Sequence, residues 1–184
     1  MKPAPIFLIS GTPGSGKSSV ARVLLAHFEF GLHLPIDDLR EFVVSGIAHP
    51  IAPTPETTRQ FRLARNCAVQ IAKIYASQGF AVVIDDVIFP NDAAQLEQEF
   101  LTGFKIHKIL LRPKLEVALS RNASRENKNF DTVILEDVII DLWTNMKPEE
   151  FQAAGWLVLD SSEMSLDTTV RLILEHFKIQ NSRG

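Results

Sequence analysis

Apolar residues recur along this chain in two alternating rhythms. Continuous apolar runs of strand character occupy residues 5–10, 32–36, 80–84, 104–111 and 156–159. Between them, apolar positions at helical spacing predict helices over 16–28, 38–45, 92–102, 114–126, 131–146 and 166–178, with a long one from Pro55 to Gly79. The long helix has Thr54 as N-cap, Pro55 at its first position and Gly79 as its stop. Its buried face is expected to hold Phe61, Ala64, Ala68, Ile71, Ala72 and Tyr75. Pro35 places the second strand at a sheet edge, because proline cannot donate to a ladder. Residues 47–55, with three prolines, read as a surface loop. Five strands alternating with helices imply a three-layer α/β/α sandwich around a five-stranded, mainly parallel sheet.

The turn after the first strand changes this from a fold to a site. Gly11-Thr12-Pro13-Gly14-Ser15-Gly16-Lys17-Ser18 matches G-x-x-x-x-G-K-S, the Walker A loop, with Ser19 following it into the helix. Glycines let successive backbone N–H groups turn toward phosphate oxygens. Lys17 supplies a charge for the β/γ-phosphates, and the Ser18 hydroxyl can ligate Mg²⁺. The helix that opens there adds its positive end. Strand before and amphipathic helix after are the arrangement the motif requires.

Acidic residues follow the apolar runs, where ligands bind in open α/β sheets. Ala81-Val82-Val83-Ile84-Asp85 has the Walker B pattern, which assigns Asp85 to the metal; Asp86 is a candidate substrate contact. Asp37, after the second strand, is a candidate base for an attacking hydroxyl, with Arg40 a turn further on to bind acceptor or phosphate. An ordinary helix cap with an exposed arginine is the plain alternative. Arg121 and Arg125 share a helix face and could neutralise a transferring phosphoryl group from a mobile lid around 121–130; a solvated helix end explains them equally well. Of Arg59, Arg62 and Arg65 on the long helix, most are expected to be solvated, with Arg62 or Arg65 able to reach substrate. The five histidines show no ligand pairing and read as structural or surface residues.

At 184 residues one domain is expected, spanning 1–184. A net charge of −3 speaks against a long polyanion as partner. The single cysteine, Cys67, lies in a periodic apolar stretch and is expected to be buried. No apolar run approaches membrane-spanning length and no signal peptide precedes the first strand, so a cytoplasmic protein is expected.

Together these landmarks resemble the P-loop kinase group within the P-loop nucleoside triphosphate hydrolase (nucleotide kinase-like) fold. They are most similar to its chloramphenicol phosphotransferase-like and zeta-toxin-like branch. Three segments carry the resemblance: Phe7–Ser10 running into the Walker A loop, Ile36-Asp37-Asp38-Leu39-Arg40, and Val82-Val83-Ile84-Asp85-Asp86-Val87. Pro113–Asn122 resembles the helix leading into a kinase lid, and Asp160–Val170 the last strand, adenine-side loop and closing helix. The resemblance implies Asp37 as catalytic base, ATP and Mg²⁺ as cofactors, and phosphotransfer to the hydroxyl of a small molecule. Residues 46–58 and 128–155 match no part of that pattern, and acceptor pockets in this group are built from such segments, which leaves the acceptor unnamed. The alternatives are a P-loop ATPase or nucleotide switch, or a kinase of nucleic-acid ends or nucleotide sugars.

Overall fold

The computed structural model describes residues 3–50, 53–124 and 135–179. Five strands, β1 (Ile6–Ser10), β2 (Gly31–Pro35), β3 (Ala81–Asp86), β4 (Ile106–Leu111) and β5 (Leu157–Leu159), form one sheet in the order β2-β3-β1-β4-β5. Every pairing is parallel, so the expectation of a mainly parallel sheet sharpens to an all-parallel one. β2 is an edge strand, where Pro35 costs no ladder bond.

The two-residue period of the strands sorts side chains into two cores. Ile6, Leu8, Val82, Ile84 and Leu110 face α3 (Pro55–Ser77) and α4 (Pro90–Phe100). Phe7, Ile9, Val83, Ile109 and Leu111 face α1 (Lys17–Leu25) and the C-terminal helix α8 (Leu166–Phe177). Helices on both faces complete the three-layer sandwich. The remaining described helices are α2 (Ile36–Glu41), α5 (Leu115–Ala123), α6 (Glu136–Asn145) and α7 (Pro148–Ala153).

The long helix starts as its sequence requires, with a Thr54/Thr57 capping box and Pro55 in the first turn. Its stripe corrects two expectations. Buried positions run Ala64, Ala68, Ala72 and Ala76, while Tyr75 is 40% exposed, its ring set edge-on to Phe80. Cys67 is exposed rather than buried, because it lies beside that stripe and not on it. Two further elements differ from the periodicity. α2 begins at Ile36 instead of 38, because fully buried Ile36 starts the helix where β2 ends. The expected helix 131–146 is resolved as α6, its first residues lying outside the described ones, and is followed by α7, whose buried Phe151 packs edge-on against Trp156.

Candidate active site

The carboxyl ends of β1 and β3 lie side by side, with Ile9 level with Asp85 and Ser10 level with Asp86. The Ser10 hydroxyl ties them together. It donates to the Ile88 carbonyl at 2.7 Å and accepts from the Ile88 N–H at 3.1 Å. From that point Gly11 opens the phosphate loop.

Two glycines of the loop are required by contact as well as by conformation. Gly14 has φ +82°, and a Cβ there would lie 2.1 Å from the Ala118 carbonyl oxygen of α5. A Cβ on Gly11 would lie 2.4 Å from the Leu111 carbonyl oxygen at the end of β4. The loop is thus wedged between β4 and α5, a close approach only glycine permits. Gly16 is the N-cap of α1 with no side-chain cap, so the first turn of the helix keeps its N–H groups available to an anion. Thr12 and Ser15 hydroxyls lie buried in the loop without a hydrogen-bond partner. Pro13 lines the neighbouring cleft, and Ser19 is exposed on α1. The Lys17 ammonium donates to the Gly11 and Thr12 carbonyls at 2.9 and 3.1 Å. Backbone donors, orphaned hydroxyls and a lysine in one concave loop suit a polyphosphate.

The strand period separates the two acids of β3. Asp85 shares the α1 face with Lys17 and Ser18. Burial alone would raise its carboxyl, but the His33 hydrogen bond, the Lys17 charge and a hydrogen bond from Ser18 outweigh it and hold the group below the usual range. The His33 bond is short, Nε2 to Oδ2 at 2.6 Å. An ionised carboxylate beside the Ser18 hydroxyl is the donor chemistry Mg²⁺ prefers. Among the described residues no group of three His, Cys, Asp or Glu side chains is arranged for a metal, so an ion here would need phosphate and water oxygens as well.

Asp86 faces α3 instead. Arg65 Nε donates to its Oδ2 at 2.5 Å and the Val87 N–H donates to Oδ1 at 2.7 Å. Burial pushes its carboxyl above the usual range despite Arg65. Expected as a substrate contact, Asp86 does not line the cleft; it holds Arg65, which does. Arg59 is paired with Glu56 on the surface and Arg62 is exposed, which leaves Arg65 as the arginine of that helix at the site.

The cleft has a volume of about 570 Å³ and runs from Pro13 of the phosphate loop along α2 and α3 to α6. Asp37, in the first turn of α2, is exposed on its wall. Arg40 also lines it, but only 5% exposed: its guanidinium donates to the Ala48 carbonyl and lies 3.9 Å over the Phe61 ring. Gln60 fastens the same loop, accepting from the Ala48 N–H and donating to the Gly46 carbonyl. Residues 47–50 and α6, which no motif claims, therefore form much of the wall.

Arg121 sits elsewhere. It donates to the Ser161 and Ser162 carbonyls at 3.1 and 3.2 Å and so braces the turn after β5. Arg125 and residues 125–130 of the expected lid lie outside the described residues. Arg112 caps the end of α6 through the Met146 and Trp143 carbonyls and stacks 3.7 Å over the Trp143 ring. His33 and Ser10 were not singled out by sequence. Only the strand register brings His33 to Asp85, and no motif spacing marks a residue 52 positions away.

Solved structures share this architecture. The tunicamycin resistance protein of Deinococcus radiodurans is 15% identical with a TM-score of 0.68, over 98% of this chain and 99% of that one. A sugar kinase from Janibacter sp. HTCC2649 is 16% identical, TM-score 0.68, over 98% of each chain. Shikimate kinase from Acinetobacter baumannii, solved with shikimate, is 16% identical, TM-score 0.64, over 95% of this chain and 93% of that one. These likenesses establish an α/β P-loop kinase-like fold. No curated protein matches at the level of sequence. The phosphate loop, the paired strand ends and most of the cleft wall all fall within residues 6–149, which match a family described as an AAA domain, and the chain belongs to that family.

Proposed function

We propose that the protein is an ATP-dependent phosphotransferase that moves the γ-phosphoryl group to a hydroxyl of a small molecule held in the cleft. The observation that carries this reading is the continuity of the cleft, which has Pro13 of the phosphate loop and the Asp37 carboxylate on the same wall. A nucleotide switch has no need of a second, 570 Å³ compartment beside its phosphates.

The loop Gly11–Ser18 would bind the triphosphate. Lys17 would leave the Gly11 and Thr12 carbonyls for the β/γ-phosphates. Ser18 and Asp85 would hold Mg²⁺, which supplies charge neutralisation at the transferring group. Asp37 accepts the proton of the acceptor hydroxyl as its oxygen bonds to the γ-phosphorus; the bond to the β,γ-bridging oxygen breaks and ADP leaves. The Ile36–Arg40 and Val82–Val87 segments support the chloramphenicol phosphotransferase-like branch within this reading. The cytoplasm is the compartment we assign, since ATP is available there.

The test is ADP release from Mg·ATP with a panel of hydroxyl compounds, and identification of the phosphorylated product. Asp37→Asn is expected to lower turnover about 10²- to 10⁴-fold with ATP affinity unchanged. Transfer that survives this substitution at full rate refutes Asp37 as the base. ATP hydrolysis without any phosphorylated acceptor refutes the kinase.

A further inference from the structure

We propose that the cleft selects an acceptor bearing a protonated amine next to an apolar body, in addition to the hydroxyl that receives phosphate. This inference rests on the phosphotransfer reading and specifies its acceptor class.

The charged side chains of the cleft wall are Asp37, Glu41, Asp137, Asp141, Arg40 and Arg65. The two arginines are largely buried behind the wall. Arg65 is paired with the buried carboxylate of Asp86, with its side chain 18% exposed. Arg40 is more deeply buried, held by the Ala48 carbonyl and the Phe61 ring. The four carboxylates belong to exposed residues, with Asp37 also acting on the Arg40 charge and Asp141 accepting from Asn145. Two helices carry them: Asp37 and Glu41 on α2, Asp137 and Asp141 four residues apart on α6 and so on one helix face.

A ligand in the cleft thus meets exposed negative charge from two helices. Behind the wall, Asp86 offsets one of the two guanidiniums. The polyphosphate at the Pro13 end adds further negative charge. A carboxylate or phosphate on the acceptor would be repelled, and an ammonium drawn in, all the more strongly as the cleft sheds water. Val87, Val138 and Leu142 supply apolar wall between the charges, suited to a hydrocarbon or aromatic body.

The test uses sets that share a body and a hydroxyl and contrast a cationic, a neutral and an anionic member: phenylalaninol, N-acetyl-phenylalaninol and 3-phenyllactate; 4-(aminomethyl)benzyl alcohol, 1,4-benzenedimethanol and 4-(hydroxymethyl)benzoate; glucosamine, glucose and glucuronate. Binding is read by calorimetry with a non-hydrolysable ATP analogue and Mg²⁺, and transfer by ADP release and product mass. The cationic member is expected to win by about tenfold or more over its neutral partner, and by more over the anion. The preference should shrink about tenfold in Asp137→Asn/Asp141→Asn, and shrink again at high salt. A folded variant is recognised by an unchanged melting temperature and ATP affinity. Phosphorylation that favours neutral or anionic members overturns the charge assignment and leaves the kinase standing. A cation preference that the double variant does not reduce also overturns it. Failure of every set to bind or be phosphorylated overturns both.

Discussion

At the phosphate end, the Walker A motif is eight consecutive residues from Gly11 to Ser18. At the proposed acceptor end, the wall is assembled from the phosphate loop, α2, residues 47–50 and 53, α3, the turn after β3, and α6. The difference follows from what each end must hold. Phosphate oxygens accept from backbone N–H groups, so the loop is specified by conformation and by the absence of side chains at Gly11 and Gly14. An acceptor is held by side chains, and these can come from any element that reaches the cleft. The phosphate end is therefore local in sequence, and the acceptor end is not.

Arg65 joins the two ends, since it leaves α3, lines the cleft and neutralises Asp86 beside the Walker B aspartate. Arg65→Met would strand a buried carboxylate and is expected to cost about 3–5 kcal/mol in denaturant unfolding. A loss under 1 kcal/mol would show the two ends to be energetically separate. Gly14→Ala strikes the phosphate end alone. With the new Cβ 2.1 Å from a backbone oxygen, α5 and the loop must part. ATP affinity should fall roughly 100-fold, while amine-bearing acceptors still bind the cleft in the absence of nucleotide. Equal damage to both ligands would break the comparison.

His107 tests whether acid weakens one face of the sheet before the other. It is buried between the Phe7 and Phe177 rings on the α1/α8 face. Burial first, then the Lys105 and His176 charges, lower its pKa from 6.5 to about 4. Between those values the unfolded chain takes up a proton that the folded chain does not, so stability falls as the pH drops from 6.5 toward 4. The loss should reach roughly 3 kcal/mol below pH 4 and vanish above the unfolded pKa. Chemical denaturation of His107→Phe against wild type at several pH values measures it, and an identical acid slope in the variant would remove His107 as the cause. The smallest effect is expected at His33. His33→Ala should weaken Mg²⁺-dependent binding of a fluorescent ATP analogue about tenfold, with little change in Mg²⁺-free binding. Equal loss with and without Mg²⁺ would place His33 in folding rather than at the metal.

Much of the architecture was legible because strand and helix periods differ and the connections are short. The edge position of β2 followed from Pro35, and the start of α3 from Thr54 and Pro55. Tyr75 and Cys67 were misplaced because a helix 23 residues long, flanked by solvent, buries a stripe of alanines narrower than its apolar composition suggests. α7 was missed because six residues carry too little periodicity to register.

The sequence by itself determined the phosphate loop, the strand ends that carry acids and the helical layers, since each is encoded by neighbours along the chain. Tertiary structure decided the rest. Register along β3 gave Asp85 to α1 and Asp86 to α3, although the two are adjacent and chemically identical. Register also brought His33 to Asp85, and packing carried Asp137 and Asp141 to the cleft that Asp37 and Glu41 line. Such pairings depend on which face a side chain leaves and what the opposing layer presents, and neither is written in local spacing.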